Sequence, residues 1–220
     1  MNVLVPLDGN GDWFIDNPGY TTPWPLIRPD GEKSLVELMV ENLSGLVDGA
    51  KFYFVVNKRY DDEFNISRHL KDLGTVILRT GGQGRVDSCL LASVHINNGF
   101  PLLICEGNGF FHLDASRMLG ADLGGMVAVE KVRRGGNVSL DPNGRVDCIG
   151  EREGRLASVG IFLWKHGSDF VSYASGKGSL EEVFHDAVMG GLDASVDFID
   201  EFAHVRNGDE LAALKAVKGW

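Results

Sequence analysis

Short apolar runs alternate with amphipathic segments through the first half of the chain. Residues 3–7 are apolar and stop at Asp8-Gly9-Asn10-Gly11-Asp12, which predicts a buried strand opening into a glycine-rich loop. Pro18, Pro23, Pro25 and Pro29 follow, so no regular structure is expected there. Ser34 and Glu37 have capping-box spacing ahead of Leu35, Leu38, Met39, Leu43 and Leu46, which predicts a helix with one apolar face. Residues 52–56 are apolar without a break, the pattern of a parallel strand buried on both faces. The alternation continues with a helix over 61–73, a strand over 75–78, a glycine-rich turn over 81–84 and a helix to about 95. A strand over 101–105 is then closed by Glu106-Gly107-Asn108-Gly109. This rhythm predicts a parallel sheet with helices on both faces and a ligand crevice at the carboxyl ends of its strands. The loops at Asp8 and Glu106 both face that crevice.

Beyond residue 120 the rhythm changes. Residues 126–131, 138–140, 145–149 and 158–164 read as strands, and Asp141-Pro142-Asn143-Gly144 is a hairpin turn signal. Ser168 and Ser179 are candidate helix caps, the second with Glu182 in a capping box. A strand over 196–199 and a helix over 209–217 complete the pattern. The expectation is one domain spanning residues 1–220, with no internal repeat or linker.

Charge narrows the partner. A formal net charge of −10 disfavours nucleic acid, because phosphate neutralisation needs clustered Lys and Arg. It leaves room for a nucleotide, whose phosphates can be held by backbone N–H groups and one or two cations. Cys89, Cys105 and Cys148 are far apart, odd in number and set in apolar contexts, which favours reduced thiols over zinc or disulfides. The first apolar run is too short for a signal peptide, and no stretch is long enough to span a bilayer. A cytoplasmic protein with no membrane partner is expected.

The stretches VLVPLDGNGDWF and GYTTPWPLIRPDGEKSLVELMVENL resemble the opening of the sugar-1-phosphate nucleotidyltransferases, whose pattern runs AGxGxRF, GYTxPKPLI and a helix ending in ENL. The likeness continues, in order, at GQGRVDSCLLA, PLLICEGNGFFHLD, NGRVDCIGEREGRLASVGIF and HVRNGDELAAL. It implies a three-layer α/β/α sandwich around a mostly parallel mixed sheet, the GT-A type of nucleotide-diphospho-sugar transferases. It implies chemistry as well: in-line attack of a sugar phosphate on a nucleoside triphosphate with release of pyrophosphate. Such catalysis rests on positioning, first-loop cations and carboxylate-held Mg2+, with no organic cofactor.

Carried over position by position, the resemblance matches Gly9 and Gly11, which let backbone approach a phosphate, and Pro23 and Pro25. The family's loop Arg falls on Trp13, and its Lys between the prolines falls on Trp24. Its metal-binding Asp after the fourth strand falls on Asn108, and a second Asp falls near His204. Gly84 matches a glycine beside the nucleotide base, Arg152 a cation after Glu151, and Gly160 a glycine of the sugar-contacting strand. Removing one preorganised transition-state stabiliser costs about 3 kcal/mol. Several are replaced together here, so the usual mechanism is expected to be impaired.

Each candidate has an alternative reading. Trp13 and Trp24 either stack on a ligand ring or pack the loop. Asn108 either contacts a ligand or makes a turn. Glu106, Asp114 and Asp8 are the carboxylates that could hold Mg2+ in place of the missing Asp, although Asp114 equally suits a helix N-cap. Asp8, Asn10, Asp12 and Asp16 do not make a calcium loop, because Trp13 and Gly19 occupy its required glycine and glutamate positions. His112, His185 and His204 lack metal-ligand spacing, and no DxD triplet is present. Three functions follow. The chain binds a nucleotide, sugar phosphate or nucleotide sugar with catalysis lost or carried by substitutes, Arg152 and Asn108 being the candidates. Or it is an active transferase, or a regulatory or scaffold subunit. A homo-oligomer and a partner enzyme both remain open.

Overall fold

Alternate residues of the central strands enter two different cores. Val3 and Val5 belong to one buried cluster and Leu4 to the other; Phe54 and Val56 belong to the first, Tyr53 and Val55 to the second. A sheet whose strands bury both faces needs a helical layer on each side. The computed structural model describes residues 1–7, 22–44, 49–81, 84–106, 109–111, 123–199, 202–205 and 208–218.

The strands are β1 (Asn2–Pro6), β2 (Lys51–Asn57), β3 (Thr75–Arg79), β4 (Leu102–Cys105), β5 (Gly109–Phe111), β6 (Gly125–Leu140), β7 (Val146–Trp164), β8 (Ala194–Phe198) and β9 (Phe202–His204). The helices are α1 (Leu35–Ser44), α2 (Lys58–Phe64), α3 (Ile66–Leu70), α4 (Arg85–Leu91), α5 (Ser93–Ile96), α6 (Gly167–Ala174), α7 (Leu180–Met189) and α8 (Gly208–Lys218). The main sheet has the order β3-β2-β1-β4-β7-β6-β8. β3, β2, β1 and β4 are mutually parallel, β7 runs against both β4 and β6, and β8 is parallel to β6. The sheet is therefore mixed and mostly parallel, as expected. Side chains of α1, α2, α3 and α8 enter the first core, and those of α4, α5, α6 and α7 enter the second.

The chain steps outward from β1 to β2 to β3, then returns to lay β4 on the other side of β1. Right-handed crossovers in opposite directions put their helices on opposite faces. Accordingly α1 to α3 lie on one face and α4 and α5 on the other. The order reverses between β1 and β4, which makes their carboxyl ends a crevice by construction.

Several sequence expectations are corrected. The Ser34–Glu37 box forms, with Glu37 accepting from the Ser34 N–H at 2.7 Å, but the buried face of α1 is Leu35, Val36, Met39, Val40 and Leu43, with Leu38 half-buried. The 61–73 helix is two helices, broken at Asn65, whose left-handed φ of 52° interrupts the turn. The helix after the glycine-rich turn is likewise split at Ala92. In the described part of the proline-rich stretch, Trp24–Leu26 form a 3-10 turn. His166, not Ser168, stands at the N-cap position of α6 and makes no side-chain cap there, while the Ser168 N–H bonds Asn98 O at 3.0 Å. Ser179 does cap α7, accepting from Glu182 N–H at 3.1 Å, but Glu182 reaches back to Gly178 N–H rather than to Ser179.

The four strands expected over 126–164 are two long ones. Their pairing shifts register around Gly136, where the apolar pattern is interrupted. Gly136 pairs with Gly154, and a Cβ on Gly154 would lie 2.8 Å from Val138 O. Side chains cannot pass at that crossing. Beyond it Asp141 binds the turn, accepting from Asn143 and Arg145 N–H at 2.8 Å each, while Arg145 pairs with Asp193.

Candidate functional site

β1 and β4 run side by side in register Asn2↔Leu102 to Leu4↔Ile104, so their ends arrive together at the point where strand order reverses. Arg85, the residue after Gly84, reaches both. Its Nη1 donates to Pro6 O at 3.1 Å, and its Nε lies 3.5 Å from Glu106 Oε1. The two side chains are 20% and 22% exposed, neither fully solvated nor sealed. Gly84 permits the approach: its φ is +125°, a conformation that disfavours a Cβ. Gly81 is held from β3, where Arg79 Nε donates to Gly81 O at 2.6 Å and the same guanidinium also bonds Ser88 Oγ. Ser88 Oγ in turn donates to Gly84 O at 3.1 Å.

Glu106 is fixed from the other side as well. Its N–H donates to Gly160 O on β7 at 2.9 Å. Gly160 has a φ of +77°, and a Cβ there would meet the Glu106 side chain. Beneath Glu106, Cys105 is fully buried; burial first, and then the Glu106 charge, push its thiol far above the ordinary thiol range. Such a thiol is no nucleophile.

The two-stranded sheet of β5 and β9 adds a second juxtaposition. Gly109 pairs with His204. The neighbourhood of His204, where the resemblance puts one metal aspartate, is therefore paired with the residue that follows Asn108 in sequence, Asn108 itself lying outside the described residues. Strands of three residues carry too little pattern for this pairing to be read from sequence.

Of the sequence candidates, Gly84, Glu106 and Gly160 gather around the β1/β4 crevice. Trp24 is 6% exposed within the first core, and its indole N–H has no hydrogen-bond partner among the described residues. Asp8, Gly9, Gly11, Trp13, Asn108 and Asp114 lie outside the described residues, as does the side chain of Arg152. Sequence reasoning missed Arg85. The available signal was a cation directly following a glycine-rich turn, but its partners are set by strand adjacency and not by spacing.

Of the three carboxylates offered for Mg2+, only Glu106 lies among the described residues. Among the described residues no three His, Cys, Asp or Glu side chains gather in a way that could hold an ion. Glu106 already faces a guanidinium. Unit charges at about 4 Å attract by about 4 kcal/mol at the effective dielectric near a protein surface.

No protein-family model matches the chain, and no curated protein matches it in sequence. Solved structures do match in fold. A protein of Bacillus anthracis assigned as a glucose-1-phosphate thymidylyltransferase, in complex with sucrose, is similar with a TM-score of 0.80 and 14% identity, covering 99% of this chain and 94% of that one. The inositol-1-phosphate CTP transferase of T. maritima matches with a TM-score of 0.73 and 18% identity, over 97% of this chain and 96% of the other. HddC of Yersinia pseudotuberculosis complexed with GMP-PN matches with a TM-score of 0.72 and 16% identity, over 96% of both. The fold is that of the sugar-1-phosphate nucleotidyltransferases, as the sequence motifs implied.

Proposed function

We infer that the protein binds a nucleotide, a sugar phosphate or a nucleotide sugar in the β1/β4 crevice, with the usual nucleotidyl transfer lost or carried by substitute groups. The observation that carries this is the Arg85–Glu106 pair at the point of strand-order reversal. Open α/β sheets bind ligands there. A guanidinium a fifth exposed, held between a backbone carbonyl and a carboxylate, is suited to an oxyanion. The related folds supply support of a second kind, since one structure contains sucrose and another GMP-PN.

The chemistry argues for impaired transfer. Mg2+ would neutralise charge on phosphate oxygens, but Glu106 is engaged by Arg85 and does not suit it. Trp24 stands in the core where the resemblance expects a lysine. Losing even one transition-state stabiliser costs about two to three decades of rate, and such losses combine without restoring one another. Among the described residues no helix is long and apolar enough to cross a membrane, and all three cysteines are free. A reducing, cytoplasmic setting suits both facts.

The test is one panel of nucleoside triphosphates, sugar phosphates and nucleotide sugars with Mg2+, read for pyrophosphate release and for thermal stabilisation. A ligand at a hundredfold its Kd stabilises by about 2.7 kcal/mol, enough to move the melting curve. Stabilisation without turnover is expected. Pyrophosphate release at an ordinary rate would establish an active transferase instead. Silence across the panel would point to a scaffold.

A further inference from the structure

A phosphate site needs fixed positive charge, and the resemblance places tryptophans where the first-loop cations of the family stand. Trp24 cannot serve as a substitute cation and is buried in the core. The resemblance gives position 85 no role. Yet Arg85 brings a guanidinium to the carboxyl ends of β1 and β4, with Nη1 on Pro6 O at 3.1 Å and Nε 3.5 Å from Glu106 Oε1. The side chain is 20% exposed, so its guanidinium is oriented by these contacts without being sealed from the crevice. A guanidinium carries five N–H donors in a rigid fork, so one that the protein already orients loses little entropy on taking an oxyanion.

We propose that Arg85 is the phosphate-binding cation of this crevice, positioned by Glu106 and the Pro6 carbonyl, and that it takes the phosphoryl group of a nucleotide sugar without a divalent metal. This rests on the binding function proposed above. The ligand class follows from charge. Glu106 stays beside the bound phosphate, so it repels a highly charged triphosphate more than the diphosphate diester of a nucleotide sugar. Glu106 is a positioning residue. It acts through Arg85, and its charge sets which phosphate is admitted.

The experiment titrates the full chain with UDP-glucose, dTDP-glucose, CDP-glucose, GDP-mannose and glucose 1-phosphate by calorimetry, in excess EDTA and again in Mg2+. At least one nucleotide sugar is expected to bind equally under both conditions. Arg85→Gln should weaken it at least about tenfold, equivalent to about 1.4 kcal/mol, with Arg85→Lys between the two. Glu106→Gln should raise the affinity for the triphosphate of the same base relative to the nucleotide sugar, a change in selectivity that a merely structural role would not produce. Unchanged affinity in a folded Arg85→Gln variant overturns the proposal and leaves the binding function standing, as does binding that requires Mg2+. No binding by any probe removes both. If Arg85→Gln does not fold, phenylglyoxal labelling of the wild-type protein decides the matter. Mass spectrometry should find Arg85 protected by the bound nucleotide sugar, and unprotected modification overturns the proposal.

Discussion

Glu106 and Gly160 are matched to each other across the boundary between β4 and β7. The Glu106 N–H donates to Gly160 O at 2.9 Å, and a Cβ built on Gly160 would lie 2.9 Å from the Glu106 Cβ. Gly160 also has a φ of +77°. Glycine is required there for two separate reasons. Gly160→Ala should destabilise the protein by about 1–2 kcal/mol from the left-handed backbone, with a further cost from pushing Glu106 aside. Urea unfolding of the variant and the wild type measures the difference. Equal midpoints would show that the backbone at 160 relaxes without cost.

Trp24 offers a contrast between shape and charge. It is 6% exposed, with an indole N–H that has no partner among the described residues. Trp24→Phe removes an unsatisfied buried donor, whose burial costs about 1–3 kcal/mol, while leaving a smaller ring in the same cluster. The gain and the cavity nearly cancel, so stability should stay close to that of the wild type. Trp24→Lys puts an ammonium into the same cluster and loses the ring. It should cost at least the roughly 3–5 kcal/mol of a large-to-small core change. Denaturant midpoints of the pair test this, and a well-folded Trp24→Lys protein would mean that position 24 opens to solvent.

The outline of the fold was legible because it rests on period and punctuation. The apolar runs at β1, β2 and β4, the Ser34 and Ser179 caps and the 141–144 turn all act locally, and local chemistry is written in adjacent residues. The colinear motifs added the fold type. What the pattern did not carry was set by contacts between distant segments or by single backbone angles. Asn65 breaks a helix through one left-handed residue, and no composition signal marks it. β6 and β7 shift register around the Gly136–Gly154 pair, and the glycines there split each long strand into two apolar patches. The site shows the same division. Gly84, Glu106 and Gly160 were singled out from motifs, whereas Arg85 gains its meaning from lying between strands that are distant in sequence.

Thiol chemistry follows from burial. Cys89 and Cys105 are fully buried, whereas Cys148 on β7 is only partly buried. Burial, with the Glu106 charge second, holds the Cys105 thiol in its neutral form at any pH used for labelling. Ellman's reagent should therefore titrate Cys148 in the native protein and all three cysteines only in denaturant. Mass spectrometry identifies the modified residue. Rapid native labelling of Cys105 would mean that the crevice floor opens far more than its burial implies.

The Ser34–Glu37 cap makes a pH-dependent contribution whose sign is fixed. The Ser34 hydroxyl and then the Ser34 N–H hold the Glu37 carboxyl below the usual carboxylate range. A carboxylate with a depressed folded pKa stabilises the protein fully above its unfolded pKa of about 4.3. That contribution is lost as pH falls through the folded value. Glu37→Gln keeps the length and an acceptor oxygen but not the charge. Its deficit relative to the wild type should be constant near neutrality and shrink as pH drops below about 4. Ser34→Ala, by removing the cap itself, should cost about 1 kcal/mol at neutral pH. Urea unfolding of the three proteins across a pH series resolves the two effects. If the Glu37→Gln deficit persists undiminished at the acid end, its source is packing of the side chain and not its charge.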